Sequence, residues 1–228
     1  MSEIITLPLG FANAFIIRGP GTVMVDTGIH VRKEKYLQLF AAYGIDPRSI
    51  QLLIITHGHG DHYAGANIVK ELTGAPLLCH KEAVPFLRQG QNAPVVAANE
   101  LGRKTLQALG KKLPLRATPV HPDMIMDDDF DLQPYGIAGR IIATPGHTDC
   151  SLSVILDDGQ AIVGDTLVPD FFTGQPSLAY FATDVEALAA SVTRLLTLAQ
   201  TFYSSHGGPY SREVVSRMWA SLGRDCPP

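Results

Sequence analysis

The sequence predicts an α/β fold in which two β-sheets pack face to face and carry helices on their outer faces. Two observations predict it: strand-like and helix-like segments alternate along the chain, and they do so in two halves on either side of a less regular middle region. The chain has 228 residues, of which 46% are hydrophobic and 18% charged. That composition suits one packed core, so we expect a single domain spanning residues 1–228.

The first half begins with three short segments rich in Ile, Val and Phe, which glycine and proline residues separate and which predict an antiparallel meander. Apolar residues at helical spacing then predict a helix that ends at Gly44, and a second predicted helix ends at Gly74. The predicted elements are strands at 4–8, 13–18 and 22–25, a helix over about 31–43, a strand at 51–56, a helix over about 62–73, a strand near 76–79 and less regular helices up to Gly110.

The second half returns to short strands from Phe130 onward, separated by the turn sequences Pro145-Gly146 and Asp157-Asp158-Gly159. The predicted elements are strands at 139–143, 151–156 and 161–163, a helix near 184–199, a strand near 201–204 and a last helix from about Ser211. Helices and strands thus alternate here as they do in the first half.

The charge and cysteine content bound the partners and the compartment. A formal net charge of −4 gives no attraction to nucleic acid or to an anionic membrane, and the patches Arg103-Lys104 and Lys111-Lys112 resemble a solvated helix face. No run of about 18 apolar residues is present, and three unpaired cysteines suit a reducing compartment. We expect a cytoplasmic protein with a small-molecule substrate and no nucleic-acid or membrane partner; assembly into a homo-oligomer stays open.

The densest group of metal-binding residue types is the segment His57-Gly58-His59-Gly60-Asp61-His62, which follows a predicted buried strand and leads into a predicted helix. Side chains two positions apart in an extended chain point to the same side, so His57 and His59 can share one ion. Asp61 and His62, at the turn into the helix, can serve a second. The sequence therefore predicts a metal site here.

Three further candidate ligands stand alone, each at the end of a predicted strand. They are His147 in Pro-Gly-His-Thr, Asp165 in Val-Gly-Asp-Thr and His206 in Ser-His-Gly-Gly. Any one of these histidines by itself would more often be structural. Three candidate ligands at equivalent strand ends favour a common site with the HGHGDH segment.

Taken in order, and with the earlier Val25-Asp26-Thr27-Gly28, these motifs resemble the metallo-β-lactamase superfamily. The resemblance implies a four-layer αβ/βα sandwich with the site at one edge between the sheets. It implies that one ion is held by His57, His59 and His147. The other ion would take Asp61, His62 and His206, Asp165 would bridge both, and Asp26 would orient the ligands from behind them.

The ligand set also suggests the metal and the chemistry. Imidazole and carboxylate ligands without thiolate suit two Zn²⁺ ions, while iron and manganese remain compatible. Two such ions would hold a bridging hydroxide as the nucleophile of a hydrolase, with Asp61 as the catalytic residue that orients it.

Within the superfamily, a bridging Asp165 resembles the glyoxalase II and lactonase branch, although the stretch after His206 is too short for the C-terminal helical extension of glyoxalase II. We expect a small ester, thioester or lactone as substrate. A mononuclear iron oxidoreductase similar to the persulfide dioxygenases and a phosphodiesterase or nuclease of the same fold remain alternatives. Phe11, Phe171, Phe172 and Tyr63 are candidate pocket residues, with core packing as the alternative for each.

Overall fold

The computed structural model describes residues 2–29, 32–109 and 116–227. The predicted start of the first helix at residue 31, the end of the middle helical region at Gly110 and the pair Lys111-Lys112 lie outside those ranges. No helix within them is long and apolar enough to cross a membrane.

The first sheet has six strands in the order β1-β2-β3-β4-β5-β6. The first three strands form the predicted antiparallel meander, and the remaining pairs are parallel, so helices connect them. The strands are β1 (Glu3–Pro8), β2 (Asn13–Arg18), β3 (Thr22–Val25), β4 (Ile50–Ile54), β5 (Leu77–His80) and β6 (Met124–Met126).

The second sheet has the order β14-β13-β10-β9-β8-β7, in which only β10 and β13 are parallel, and a separate hairpin joins β11 to β12. The strands are β7 (Phe130–Asp131), β8 (Gly139–Ala143), β9 (Leu152–Leu156), β10 (Gln160–Ile162), β11 (Leu167–Pro169), β12 (Pro176–Leu178), β13 (Thr201–Ser204) and β14 (Gly207–Ser211).

Seven α-helices are present in the described ranges. They are α1 (Lys33–Ala42), α2 (Gly60–Tyr63), α3 (Ala66–Thr73), α4 (Val84–Gln89), α5 (Glu100–Leu109), α6 (Val185–Leu198) and α7 (Arg212–Ser221). Side-chain caps start the two long C-terminal helices: Asp184 accepts from the backbone of Glu186 and Ala187, and Ser211 accepts from that of Val214.

Alternating side chains along the strands divide the core into layers. In β2, Phe15 and Ile17 face the second sheet, whereas Ile16 packs on the other face with Tyr36 of α1 and Val69 of α3. The second sheet does the same: Leu152, Val154 and Leu156 of β9 face inward, and Ile155 packs with Val192, Leu195 and Trp219 of α6 and α7. The layers therefore run helix, sheet, sheet, helix, and the predicted αβ/βα sandwich is confirmed.

Two predictions about elements are corrected. The single helix expected over 62–73 is two helices, α2 and α3, that separate at Gly65. A Cβ at Gly65 would lie 1.8 Å from the Tyr36 hydroxyl and 2.8 Å from the Thr27 carbonyl, so the chain passes here at a distance that only glycine allows. The strands β6, β11, β12 and β14 were not predicted, because β14 contains Gly207-Gly208-Pro209 and the other three have only three residues each.

Candidate metal centre

One edge of the sandwich collects the predicted ligands from four loops and turns. His57, His59, Asp61 and His62 follow β4 and run into α2, whose four residues are all buried. His147 lies between β8 and β9, Asp165 between β10 and β11, and His206 in the turn between β13 and β14. Residues 149 positions apart in the chain therefore reach one place, because the strand ends of both sheets meet at this edge.

Three imidazoles form the first half of the cluster. The distance from His57 Nε2 to His59 Nδ1 is 3.0 Å, and His147 Nε2 lies 3.2 Å from the former and 3.1 Å from the latter. Three nitrogens bound tetrahedrally to one Zn²⁺ at about 2.0–2.1 Å would be roughly 3.3 Å apart. The triangle is therefore of a size that one such ion fits.

Two histidines and two carboxylates form the second half. His62 Nε2 lies 3.7 Å from Asp61 Oδ2, and His206 Nε2 lies 3.5 Å from the same oxygen. Asp165 stands between the halves: its Oδ1 is 3.5 Å from His62 Nε2, and its Oδ2 is 3.1 Å from His206 Nε2 and 3.8 Å from His147 Nε2. This carboxylate can therefore serve both halves.

The unpaired polar atoms test whether the cluster suits a cation. His62 Nε2 and Asp165 Oδ1 are buried and have no hydrogen-bond partner among the described residues. A buried polar atom without a partner is costly unless something else satisfies it. Three groups of ligand atoms, each within 4.8 Å, can hold a metal ion: His57 with His59 and His147, His57 with His62 and Asp165, and Asp61 with His62 and His206. The residues fit divalent ions of the zinc or iron type.

Hydrogen bonds behind three of the rings fix which nitrogen faces the cluster. His147 Nδ1 donates to the Phe181 carbonyl at 2.7 Å, His206 Nδ1 to the Phe11 carbonyl at 2.9 Å, and His62 Nδ1 to Asp26 Oδ2 at 2.8 Å. With the proton on Nδ1, the Nε2 lone pair of each ring is available to a metal. The sequence contains no signal for the two carbonyl partners.

Asp26 supports His57 as well as His62. Its Oδ1 accepts from the Thr56 amide at 2.8 Å and its Oδ2 from the Thr56 hydroxyl at 2.7 Å, while that hydroxyl lies 3.1 Å from His57 Nδ1. Asp26 has a φ of 60°, a conformation that Asp adopts more readily than most residues. The structure thus places Asp26 behind two rings of the cluster, and it adds Thr56, which directly precedes the HGHGDH segment and was not singled out.

Burial and neighbouring rings keep three histidines neutral. Burial lowers the pKa of His57 and His59 well below the usual value, and the other imidazoles of the cluster lower it further. Burial also lowers the pKa of His147, against the opposing effect of Asp165. Neutral imidazole is the form that binds metal.

In the other half of the cluster, carboxylates and imidazoles shift each other's pKa values. Burial lowers the pKa of His62, but Asp165, Asp61 and Asp26 more than compensate and hold it well above its usual value. Burial also opposes the charged form of Asp165, yet His206 and His62 bring the pKa of that carboxyl well below its usual value. Positive charge on His206 and His62 thus stabilises the carboxylate form of Asp165, and a cation bound at the cluster would have the same effect.

A close backbone contact positions His147. Gly146 has a φ of 130°, and a Cβ there would lie 2.1 Å from the backbone nitrogen of Leu188 in α6. The amide of Asp184, the residue that caps α6, donates to the Gly146 carbonyl at 3.1 Å. Only glycine permits this approach, so the Pro-Gly-His-Thr motif sets His147 against the start of α6.

A cavity of about 450 Å³ opens beside the cluster, within the usual size range of small-molecule sites. His59, Asp61, His147, Asp165 and His206 reach it from the cluster. Its other lining residues are mostly apolar, and they are Phe11, Asn92, Val95, Thr105, Val168, Pro169, Phe171, Ala179, Tyr180 and Phe181.

The four aromatic residues that the sequence suggested for the pocket lie in different environments. Phe11 and Phe171 line the cavity, while Phe172 is 86% exposed and does not. Tyr63 is a correction: it is fully buried in the core, where its hydroxyl donates to the Gln91 carbonyl at 2.7 Å and burial raises its pKa to about 12. The position of Tyr63 next to His62 did not indicate where its side chain points, because successive side chains of a helix point to different sides. Tyr180 and Val168, which line the cavity, were not predicted.

Comparisons of sequence agree with this geometry. A sequence model of the metallo-beta-lactamase superfamily matches residues 7–206. The chain is similar to the probable metallo-hydrolase MJ0888 of Methanocaldococcus jannaschii, with 27% identity over 93% of each chain. It is also similar to the probable metallo-hydrolase YflN of Bacillus subtilis, with 25% identity over 89% of this chain and 83% of the relative.

Solved structures show the same fold. The BLEG-1 B3 metallo-beta-lactamase superposes with a TM-score of 0.70 and 18% identity, over 94% of this chain and 97% of that one. TTHA1623 in a di-iron-bound form superposes with a TM-score of 0.65 and 23% identity, over 95% of this chain and 98% of the other.

Proposed function

Because this chain belongs to the metallo-beta-lactamase superfamily, we propose that it is a hydrolase that uses two divalent metal ions to cleave a small ester, thioester or lactone. The observation that carries the proposal is the convergence of five histidines and two aspartates in one cluster. Three of those histidines and both aspartates line one cavity. The names of the two relatives, both probable metallo-hydrolases, support the reaction class.

The ligand assignment follows the two halves of the cluster. His57, His59 and His147 would hold one ion, and Asp61, His62 and His206 the other, with the Asp165 carboxylate shared between them. Asp26 and Thr56 keep His57 and His62 in place through the hydrogen bonds behind the rings. Zinc suits these nitrogen and oxygen donors best, and the di-iron form of TTHA1623 makes iron the metal to test against it.

When bound, such a pair of ions supplies Lewis acidity, which lowers the pKa of water and polarises the oxygen of the scissile group. The protein contributes orientation. Asp61 borders the cavity and lies within 3.7 Å of His62 Nε2 and 3.5 Å of His206 Nε2, so its carboxylate is placed to accept a hydrogen bond from a water in the cavity. The apolar wall limits competing water around the substrate.

The cavity favours a carbonyl substrate over a phosphodiester. No lysine or arginine is among the described residues that line it. Enzymes and binding proteins that take nucleic acid use basic side chains to neutralise the phosphates outside the reacting bond. An ester, thioester or lactone needs no such neutralisation.

A substrate panel tests this proposal. The purified protein is assayed with p-nitrophenyl acetate, an alkyl thioester, a γ-lactone and bis(p-nitrophenyl) phosphate, before and after treatment with a chelator and re-addition of Zn²⁺ or Fe²⁺. We expect the carbonyl substrates to be hydrolysed faster than the phosphodiester. The activity should be lost on treatment with the chelator and should return when zinc is added. Activity that persists after complete metal removal, or a preference for the phosphodiester, would contradict the proposal.

A further inference from the structure

Apart from the cluster residues, the wall of the cavity is built mostly from apolar side chains. The apolar lining includes Val168 and Pro169 of β11, Ala179, Tyr180 and, from the loop between β1 and β2, Phe11. Among the described residues, the charged groups that line the cavity all belong to the cluster. A substrate therefore meets a polar end at the cluster and an apolar surface beyond it.

Two phenylalanines of this wall expose aromatic surface. Phe171 is 62% exposed and Phe11 is 69% exposed, yet both line the cavity. Exposed apolar surface that rims a cavity is typical of a ligand site, because a ligand that covers it removes that surface from water.

The rest of the protein holds each ring in place. Phe171 stacks on Tyr180, with ring centroids 4.8 Å apart and planes 7° from parallel, and its amide donates to the Tyr180 hydroxyl at 3.2 Å. Phe11 packs against His206 with centroids 4.7 Å apart, and its carbonyl accepts from His206 Nδ1. A ring that is already positioned loses little freedom when a ligand binds.

A charged group on the distal part of a substrate would be poorly tolerated. A carboxylate or phosphate that contacts this wall would leave water without gaining a cationic partner from the described residues, which is unfavourable. An alkyl or aryl group would instead cover the exposed faces of Phe11 and Phe171.

We propose that the substrate is an uncharged ester, thioester or lactone with an apolar alkyl or aryl group, and that Phe11 and Phe171 determine this specificity. The inference rests on the proposed hydrolase function and narrows its substrate class. The reacting carbonyl would lie at the metal cluster, with the apolar group against the two rings.

The test is a chain-length series of p-nitrophenyl esters, from acetate to octanoate, together with the monoester of an eight-carbon dicarboxylic acid, which carries a distal carboxylate. We expect kcat/KM to rise by about two- to fourfold for each methylene until the cavity is filled, which corresponds to at most about 0.8 kcal/mol per methylene. The change is expected mainly in KM. We expect the distal carboxylate to lower kcat/KM at least about tenfold relative to octanoate.

Phe171→Ala and Phe11→Ala are the informative variants, and Phe172→Ala is the matched control because Phe172 is exposed but does not line the cavity. We expect both to lower kcat/KM for octanoate about tenfold. Phe171→Ala, which touches no assigned ligand, should lower kcat/KM for acetate less than about twofold and leave bound metal unchanged. Phe172→Ala should behave as the unaltered protein does. The specificity assignment would be overturned if Phe171→Ala lowered kcat/KM equally for octanoate and acetate. It would also be overturned if Phe172→Ala lowered kcat/KM for octanoate as much as Phe171→Ala does.

Binding of an octyl ether, a non-hydrolysable analogue of the ester, separates this inference from the proposed function. Calorimetric binding that Phe171→Ala weakens, in a protein that hydrolyses none of the esters, would reject the hydrolase and keep the apolar site. Hydrolysis without dependence on chain length or distal charge would keep the hydrolase and reject the apolar site.

Discussion

Asp26 Oδ2 accepts a hydrogen bond from His62 Nδ1 at 2.8 Å, and both side chains are fully buried. The same carboxylate accepts from the amide and the hydroxyl of Thr56, which precedes His57. One residue at the end of β3 therefore orients rings from both halves of the cluster. Such supporting groups commonly contribute about 10–100-fold to metal affinity.

Asp26→Asn should weaken metal binding about 10–100-fold while leaving the fold intact. Asparagine tolerates the φ of 60° at this position, but it lacks the negative charge that holds the Nδ1 proton of His62. The measurement is competition for Zn²⁺ with a chelator of known affinity, with circular dichroism as the control for folding. An unchanged zinc affinity in Asp26→Asn would show that Asp26 does not support the ligands.

His59→Ala should abolish hydrolysis and lower the metal content while the far-UV circular dichroism stays largely unchanged. His59 Nδ1 is one of the three nitrogens that lie within 3.2 Å of one another, so its loss removes a ligand of the first ion. His121→Ala is the control, because His121 is exposed and lies in no ligand group among the described residues. Turnover at the original rate in His59→Ala would reject the assigned site.

Gly146→Ala should destabilise the protein by about 3 kcal/mol or more and reduce metal binding, because its Cβ would collide with Leu188 and displace His147. Gly174→Ala is a matched control: Gly174 has a φ of 68°, but no atom lies within 4 Å of its added Cβ. That variant should cost only about 1 kcal/mol. Urea denaturation gives the free energy of unfolding of both variants. An equal loss of stability in the two would mean that the contact between Gly146 and α6 is unimportant.

His80 should make the protein less stable in acid. Burial lowers the pKa of His80, and its neutral Nδ1 accepts from the Glu82 amide at 3.3 Å. Between the lowered pKa and the unfolded value of about 6.5, the unfolded chain binds more protons than the native one. The free energy of unfolding therefore falls as the pH drops below about 6.5.

His80→Asn removes this titration while asparagine can still accept the Glu82 hydrogen bond. Urea denaturation at pH 7 and pH 5 should show a smaller loss of stability in His80→Asn than in the unaltered protein. The same loss in both would mean that His80 contributes nothing to the acid sensitivity.

The sequence alone predicted the sandwich and the ligand cluster for different physical reasons. Strands such as β2 and β9 were evident because their apolar residues form short runs bounded by turns. The seven candidate ligands were evident because their residue types and spacing resemble a known family. Strands that depend on pairing with a distant segment were harder to predict from the sequence. β6 follows β5 by more than forty residues, and its three residues form a strand because they pair with β5 at the edge of the first sheet.

The cavity was the least predictable part. Phe171, Phe172 and Tyr63 were all pocket candidates because each follows a candidate ligand in the sequence, yet one lines the cavity, one is exposed without lining it and one is in the core. The direction of an aromatic side chain depends on the tertiary packing around it, which local sequence does not encode. The carbonyls of Phe11 and Phe181 are hidden for a related reason, since every residue has a carbonyl and only the fold brings these two to His206 and His147.

The proposed hydrolase requires two metal ions in the cluster. The most direct measurement is elemental analysis of the protein purified without added metal, followed by titration of the metal-free protein with Zn²⁺. We expect about two zinc ions per chain and recovery of ester hydrolysis as the second ion binds. A single tightly bound iron with oxygen consumption, or a protein that takes up no more than one ion at saturation, would contradict it.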